Sequence, residues 1–181
     1  MLIGSLWLCI PIVGWILNMG HRIVVVHRMI HGDTQPWPAW GNLRELLRHG
    51  VITLAGMLLY LLPAAITGCV AYLLWSWAIG IIAGVFFVIG ICAIPGYMTA
   101  YCAQFDHREV FNIRRSLQRV AHAGPAYWKA WGITLVALAG SFFGLLGFGV
   151  LFLFTSVWFW QAAAFCFANT MTRASTQLET P

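Results

Sequence analysis

From Val51 to Phe105 the chain carries no Lys, Arg, His, Asp or Glu. A soluble domain of ordinary composition is about 25% charged, so a run of this length has to be sheltered from water over its whole extent. A helix crosses the hydrocarbon layer with about 20 apolar residues, which makes the run two crossing helices, not one or three. Their turn is expected at Trp75-Ser76-Trp77, where two indoles suit the far headgroup layer. The spans are then 51–74 and 78–104. Pro63 and Pro95 fall inside them, each removes a backbone donor, and each is expected to kink its helix. Gly80 and Gly84 form a GxxxG pair, a device for close helix packing in membranes.

The same reasoning extends to both ends. Ala130–Thr172 is also free of charge and histidine and fits spans at 126–146 and 149–172, with a turn within Gly140–Gly149. Residues 2–26 read as a first span, bent by Pro11 and Gly14. They have no basic leading segment and no clear small-residue cleavage site, so a signal peptide is not expected. Residues 173–181 form a polar tail. The chain of 181 residues is 61% hydrophobic and 8% charged. The fold class is therefore all-α: a polytopic transmembrane helical bundle of about five spans forming a single domain over 1–172.

Between the spans lie two basic, Trp-bearing segments. In the first, Leu43, Leu46, Leu47 and Val51 recur at helical spacing, while Arg44, Glu45, Arg48 and His49 fall on the other side. Asn42 with Glu45 reads as a capping box for a surface helix over 42–50. Pro36 and Pro38 impose an extended approach. In the second, Val110, Ile113, Leu117, Val120 and Ala121 make an apolar face opposite Asn112, Arg114, Arg115, Gln118 and Arg119. A surface helix is expected over 107–121, started at Asp106 and ended at Gly124-Pro125. Both helices are expected at the interface on the cytoplasmic side. Trp37, Trp40, Trp75, Trp77, Trp128 and Trp131 are the expected interfacial anchors.

Charge then sets orientation. Of the ten Lys and Arg residues, all but Arg173 lie at the end of the first span or in the two surface segments, and Arg173 follows the last span. With five spans every one falls on one side, and the positive-inside rule makes that side cytoplasmic. The expectation is an outside N-terminus and a cytoplasmic C-terminus in a bacterial or archaeal inner membrane. The net charge of +5 sits beside apolar spans, so anionic lipid is the expected partner and nucleic acid is not. Span–surface helix–span also occurs twice in the same sense, a parallel repeat of organisation.

The order of these signals resembles the family of uncharacterised bacterial and archaeal membrane proteins called domain of unknown function 4013. The resemblance spans nearly the whole chain. It is carried by Leu2-Ile3-Gly4, Gly20 before the basic stretch Arg22–Arg28, His31-Gly32-Asp33, Pro36-Trp37-Pro38-Ala39-Trp40-Gly41, Gly50, and Tyr60-Leu61-Leu62-Pro63. His21 stands where members usually carry Tyr. The resemblance implies a multi-pass helical fold and brings no catalytic residues.

For function, the residues exclude more than they select. No GxSxG, HExxH, phosphate loop or paired carboxylates within the apolar runs occurs, and no enzyme is expected. Cys9, Cys69, Cys92, Cys102 and Cys166 form no CxxC pair, so neither a disulfide framework nor a metal site is expected. His27 and His31, four apart, are weak candidates for a metal or haem, and no cofactor is assigned. Arg22, Arg28, Arg44, Arg48, Arg114, Arg115, Arg119 and Lys129 are the candidate contacts to lipid or another anion, with Arg22 expected to snorkel toward the interface. The first functional reading is a non-enzymatic accessory or scaffold subunit that packs against other membrane proteins, or its own copies, and anionic lipid. The alternatives are a small oligomeric permease or lipid-handling protein with an arginine-rich cytoplasmic face, and a His-ligated cofactor or pigment subunit.

Overall fold

The structure, a computed structural model, describes residues 2–10, 12–33, 40–146 and 150–179. The described residues fold into helices α1 (Leu2–Leu8), α2 (Val13–Ile30), α3 (Leu43–Leu73), α4 (Trp77–Gln104), α5 (His107–Phe111), α6 (Ile113–His122), α7 (Gly124–Phe142) and α8 (Val150–Glu179), with a short 3₁₀ turn at Phe143–Leu146. No strand occurs among them. Among the described residues, four helices are long and apolar enough to cross a membrane: Leu43–Leu73, Trp77–Gln104, Gly124–Leu145 and Leu151–Thr170. The protein is a helical membrane protein.

The expected first span is not among these four helices. Residues 2–26 do not make one straight helix. Gly14 is so close to α1 that an added Cβ would stand 1.6 Å from the Trp7 carbonyl oxygen. The Asn18 amide donates to the carbonyls of Gly4 and Gly14, both at 2.9 Å. So α1 doubles back along α2. The reversal passes through Ile12, whose φ of 69° is rare for a β-branched residue. Pro11, beside it in sequence, cannot donate a helical hydrogen bond and lies outside the described residues.

The expected surface helix at 42–50 also takes another form. It is the first part of α3, continuous with the span that follows. Asn42 caps it as expected: its Oδ1 accepts from the Glu45 N–H at 3.4 Å, and its Nδ2 donates to Glu45 Oε2 at 2.7 Å. Nothing after the cap ends the helix. Gly50, a natural place for a break, instead lets α2 approach. A Cβ on Gly50 would lie 2.0 Å from the Ile16 carbonyl oxygen, and one on Gly20 would lie 1.8 Å from that of Leu46. The backbones of α2 and α3 therefore touch at these paired glycines. At 31 residues α3 is about 46 Å long, well beyond the ~30 Å hydrocarbon layer.

α3 and α4 pair along their length, α2 packs beside them, and α7 pairs with α8. Ile23, Val26, Tyr60, Ala93, Tyr97, Tyr101 and Cys102 form the main core, joined by Val110 and Ala168. Several hydroxyls in and beside it donate to backbone, while the Tyr60 hydroxyl is buried without a partner among the described residues. Tyr97 Oη donates to Thr53 O at 3.0 Å, and Thr53 Oγ1 donates to His49 O at 2.8 Å. Tyr127 Oη donates to Cys92 O. Away from this core the α3–α4 hairpin is largely uncovered, with Trp75, Trp77, Ile81 and Val88 all exposed. Gly80 and Gly84 meet nothing within 4 Å, so among the described residues no other helix packs on their GxxxG face.

The second surface segment is two helices instead of one. Asp106 caps α5 through the Arg108 N–H at 2.9 Å, and Asn112 caps α6 through the Arg115 N–H at 3.1 Å. Asn112 thus starts a new helix where the sequence pattern runs on. Ser116 is fully buried and donates to Ala93 O at 2.6 Å. A Cβ on Gly96 would stand 2.7 Å from Ser116. So α6 lies against α4 at Ala93–Gly96, and Ile113 and Leu117 are left exposed.

Candidate functional site

The chemistry-bearing side chains gather where α2, the start of α3, the end of α4 and α5–α6 meet. Phe105 sits at the centre of one cluster. It ends α4 in a left-handed conformation, φ 54°. Its ring lies 4.0 Å from the His27 ring and 4.3 Å from the His49 ring. His27 Nδ1 bonds Cys102 O at 2.6 Å, and His31 Nδ1 bonds His27 O at 2.8 Å. The two rings are 4.2 Å apart, so the spacing of four does bring them together. Their Nδ1 atoms are engaged with backbone. Among the described residues no group of three or more His, Cys, Asp or Glu is placed to hold a metal ion. His49 bonds the Tyr101 hydroxyl at 2.7 Å and stands 4.0 Å from Glu45. Tyr97 and Tyr101 were not singled out by sequence. The signal was present, as tyrosines inside runs otherwise free of strong polar groups.

The arginines divide by environment. Arg44, Arg48, Arg114, Arg115 and Lys129 are exposed, and Arg28 and Arg119 are partly covered. Glu109 gathers two of them: Arg115 Nη1 at 3.0 Å and Arg119 Nη2 at 2.7 Å. Burial alone would push the Glu109 carboxyl up. The hydrogen bonds and charges of Arg119 and Arg115 outweigh it and hold the group below the usual carboxylate range. Of the expected anchors, Trp75, Trp77 and Trp128 are exposed. Trp40 instead stacks on His21 at 4.2 Å, and Trp131 packs edge-on against Phe167 at 5.4 Å. Trp37 lies outside the described residues.

Arg22 differs from the rest. It does not snorkel outward. It is 4% exposed and points inward from α2, and among the described residues its Nη2 reaches only Met98 Sδ, at 3.9 Å. Its guanidinium lies 4.7 Å from the Trp160 ring centroid. Its Nε is buried with no acceptor. Beside it a cleft of about 340 Å³ opens between α1–α2 and α8, lined by Leu8, Trp15, Asn18, Met19, Arg22, Phe152, Leu153, Ser156, Val157, Trp160 and Gln161. The sequence marks Arg22 as a possible anion contact but gives no sign of the cleft, because α1 and α8 come together only through the fold.

A family model described as "Protein of unknown function (DUF4013)" matches residues 3–155. No curated protein and no solved structure matches the chain. The match takes in α1 through the start of α8, including the paired glycines, the Phe105 cluster and Arg22. The chain therefore belongs to the DUF4013 family of proteins of unknown function.

Proposed function

We propose that this protein is a non-enzymatic, accessory or scaffold subunit of a bacterial or archaeal cytoplasmic membrane. In this reading it works by packing against other membrane proteins, or against its own copies, and by holding anionic lipid at its basic end. The observation that carries the reading is the uneven coverage of the bundle. The polar side chains and the tightest packing lie together around α2, the start of α3, the end of α4 and α5–α6, while the α3–α4 hairpin presents Trp77, Ile81, Val85 and Val88 with no covering helix among the described residues. Free aromatic and aliphatic faces of this kind suit lipid and helix contacts, and the open Gly80/Gly84 face suits close approach by a second helix.

The basic end is assigned to the cytoplasm on the distribution of Lys and Arg, with the C-terminus on the same side. An outside N-terminus needs residues 2–26 to cross the membrane, and the doubling back of α1 on α2 gives that crossing no support. Exposed Arg44, Arg48, Arg114 and Arg115 are the expected contacts to lipid phosphate.

The test is purification from the native membrane in a mild detergent, with and without Arg114→Glu/Arg115→Glu. The wild type should bring down a fixed membrane partner or self-associate, with anionic lipid bound, and the double reversal should weaken both. A wild type that stays monomeric, alone and free of anionic lipid would sink the proposal. Turnover of a substrate by the purified protein would sink it equally.

A further inference from the structure

We propose that the cleft between α1–α2 and α8 binds an amphiphile with an oxyanion head, a carboxylate or a phosphate, and that Arg22 is the residue that holds the head. The inference stands whether or not the protein is a scaffold.

It begins with a charge that has no counterpart. A guanidinium is ionised at every physiological pH, and a charge taken out of water is costly to keep unpaired. Arg22 is 4% exposed, and among the described residues no carboxylate forms an ion pair with it. The Met98 sulfur at 3.9 Å is a weak acceptor. Trp160 stabilises the cation through its ring face but accepts none of its in-plane N–H bonds. Nε, the donor that forms one prong of the fork matching carboxylate and phosphate, is buried and unused. Ionisable side chains kept inside a membrane bundle mark binding sites more often than structural ones.

The space beside Arg22 has the composition such a ligand needs. Its volume of about 340 Å³ falls at the small end of the ~300–1,000 Å³ typical of ligand pockets. Leu8, Trp15, Leu153 and Val157 give it apolar walls, and Ser156 and Gln161 add polar groups. A free inorganic ion would leave most of that wall uncovered, and a plain hydrocarbon would leave the guanidinium unpaired. The depth is also right. Arg22 reaches α4 at Met98, two residues from Gly96, where the amphipathic helix α6 packs. That is about 3 Å along the helix axis, so the charge lies at the level where an amphipathic helix meets lipid headgroups.

The experiment is a thermal melt of the full chain in an uncharged maltoside detergent, titrated with oleate, lysophosphatidylglycerol, monoolein or inorganic phosphate. Oleate and lysophosphatidylglycerol should each raise the melting temperature by several degrees and saturate. Monoolein, which has the tail but no oxyanion, and phosphate should move it by less than a degree. Arg22→Met, which keeps the apolar stem, should lose the response to both anionic amphiphiles, with at least tenfold weaker binding. Leu153→Trp keeps Arg22 and fills the cleft, so it should lose the response too and covers the case in which Arg22→Met does not fold. The proposal is overturned if neither anionic amphiphile stabilises the wild type, if phosphate alone does as well, or if the folded variants respond as the wild type does.

Discussion

Replacing Gly20 by Ala tests the α2–α3 contact directly. The new Cβ would stand 1.8 Å from the Leu46 carbonyl oxygen and 2.7 Å from its carbon, so the two backbones must separate by more than an ångström. The obstacle is main chain, which cannot rotate aside as a side-chain tip can. Overpacking of this kind costs about 1–3 kcal/mol, against a gain of about 1 kcal/mol for Ala over Gly within a helix. The upper half of the range applies here, which leaves a net loss of about 1–2 kcal/mol. At roughly 2–4 °C per kcal/mol for a chain of this size, the melting temperature in detergent should fall by roughly 2–8 °C. Gly50→Ala meets the Ile16 carbonyl at 2.0 Å and should behave alike. The double variant should lose less than the sum, because helices already separated by one methyl have room for the second. Gly84→Ala, with nothing within 4 Å, is the control and should be neutral or slightly stabilising. The reasoning is refuted if Gly20→Ala melts with Gly84→Ala, or if the two lesions add fully.

Three further outcomes are expected. Glu109→Gln should lower stability by about 1 kcal/mol at neutral pH, since it weakens charge-assisted hydrogen bonds to two arginines. The sign with pH follows from the depressed folded value of Glu109. Its stabilisation is complete above the unfolded carboxylate value of about 4.3 and is lost as pH falls through the folded one. Melts between neutral and acid pH should therefore show a shallower acid-side loss in the variant than in the wild type. Asn18→Leu removes the hydrogen bond to Gly4 O that ties α1 to α2; hydrogen exchange should speed up in residues 2–8 and stay unchanged in α4, and uniform protection would count against the hairpin. Trp75→Gly should stabilise the chain in detergent by about 1 kcal/mol, because a residue 89% exposed at φ 46° carries backbone strain and little packing; a drop in melting temperature would show that the indole makes contacts of its own.

The helical bundle was legible from sequence because two long uncharged runs leave a chain no other shelter than lipid or its own helices. The cap at Asn42 was legible for a local reason, since a side-chain acceptor three residues before a free N–H needs nothing from the rest of the fold. What hydropathy could not show was direction. It reads residues 2–26 as apolar enough to cross, and is blind to a single left-handed residue at Ile12 that turns the chain back on itself. Nor does an amphipathic stripe at 42–50 distinguish a helix lying on a surface from the protruding end of a longer one. That depends on Gly50 facing α2, a tertiary fact. Arg22 was visible as a charge near a helix end, and the expectation of snorkelling was reasonable for a lone helix. It fails because α4 and α8 close over the side chain, bringing Met98 and Trp160 to it from distant parts of the sequence.

The bare-backbone seam at Gly20 and Gly50 has a consequence for how the protein is made. During synthesis α2 emerges before α3, α4 and α8, against which it packs. Until α3 is in place, the strip of α2 around Gly20 has no surface to match, and a helix so lightly covered has little to hold it. The close fit of Gly20 against Leu46 can therefore form only after α3 has been made, so this seam closes late in assembly.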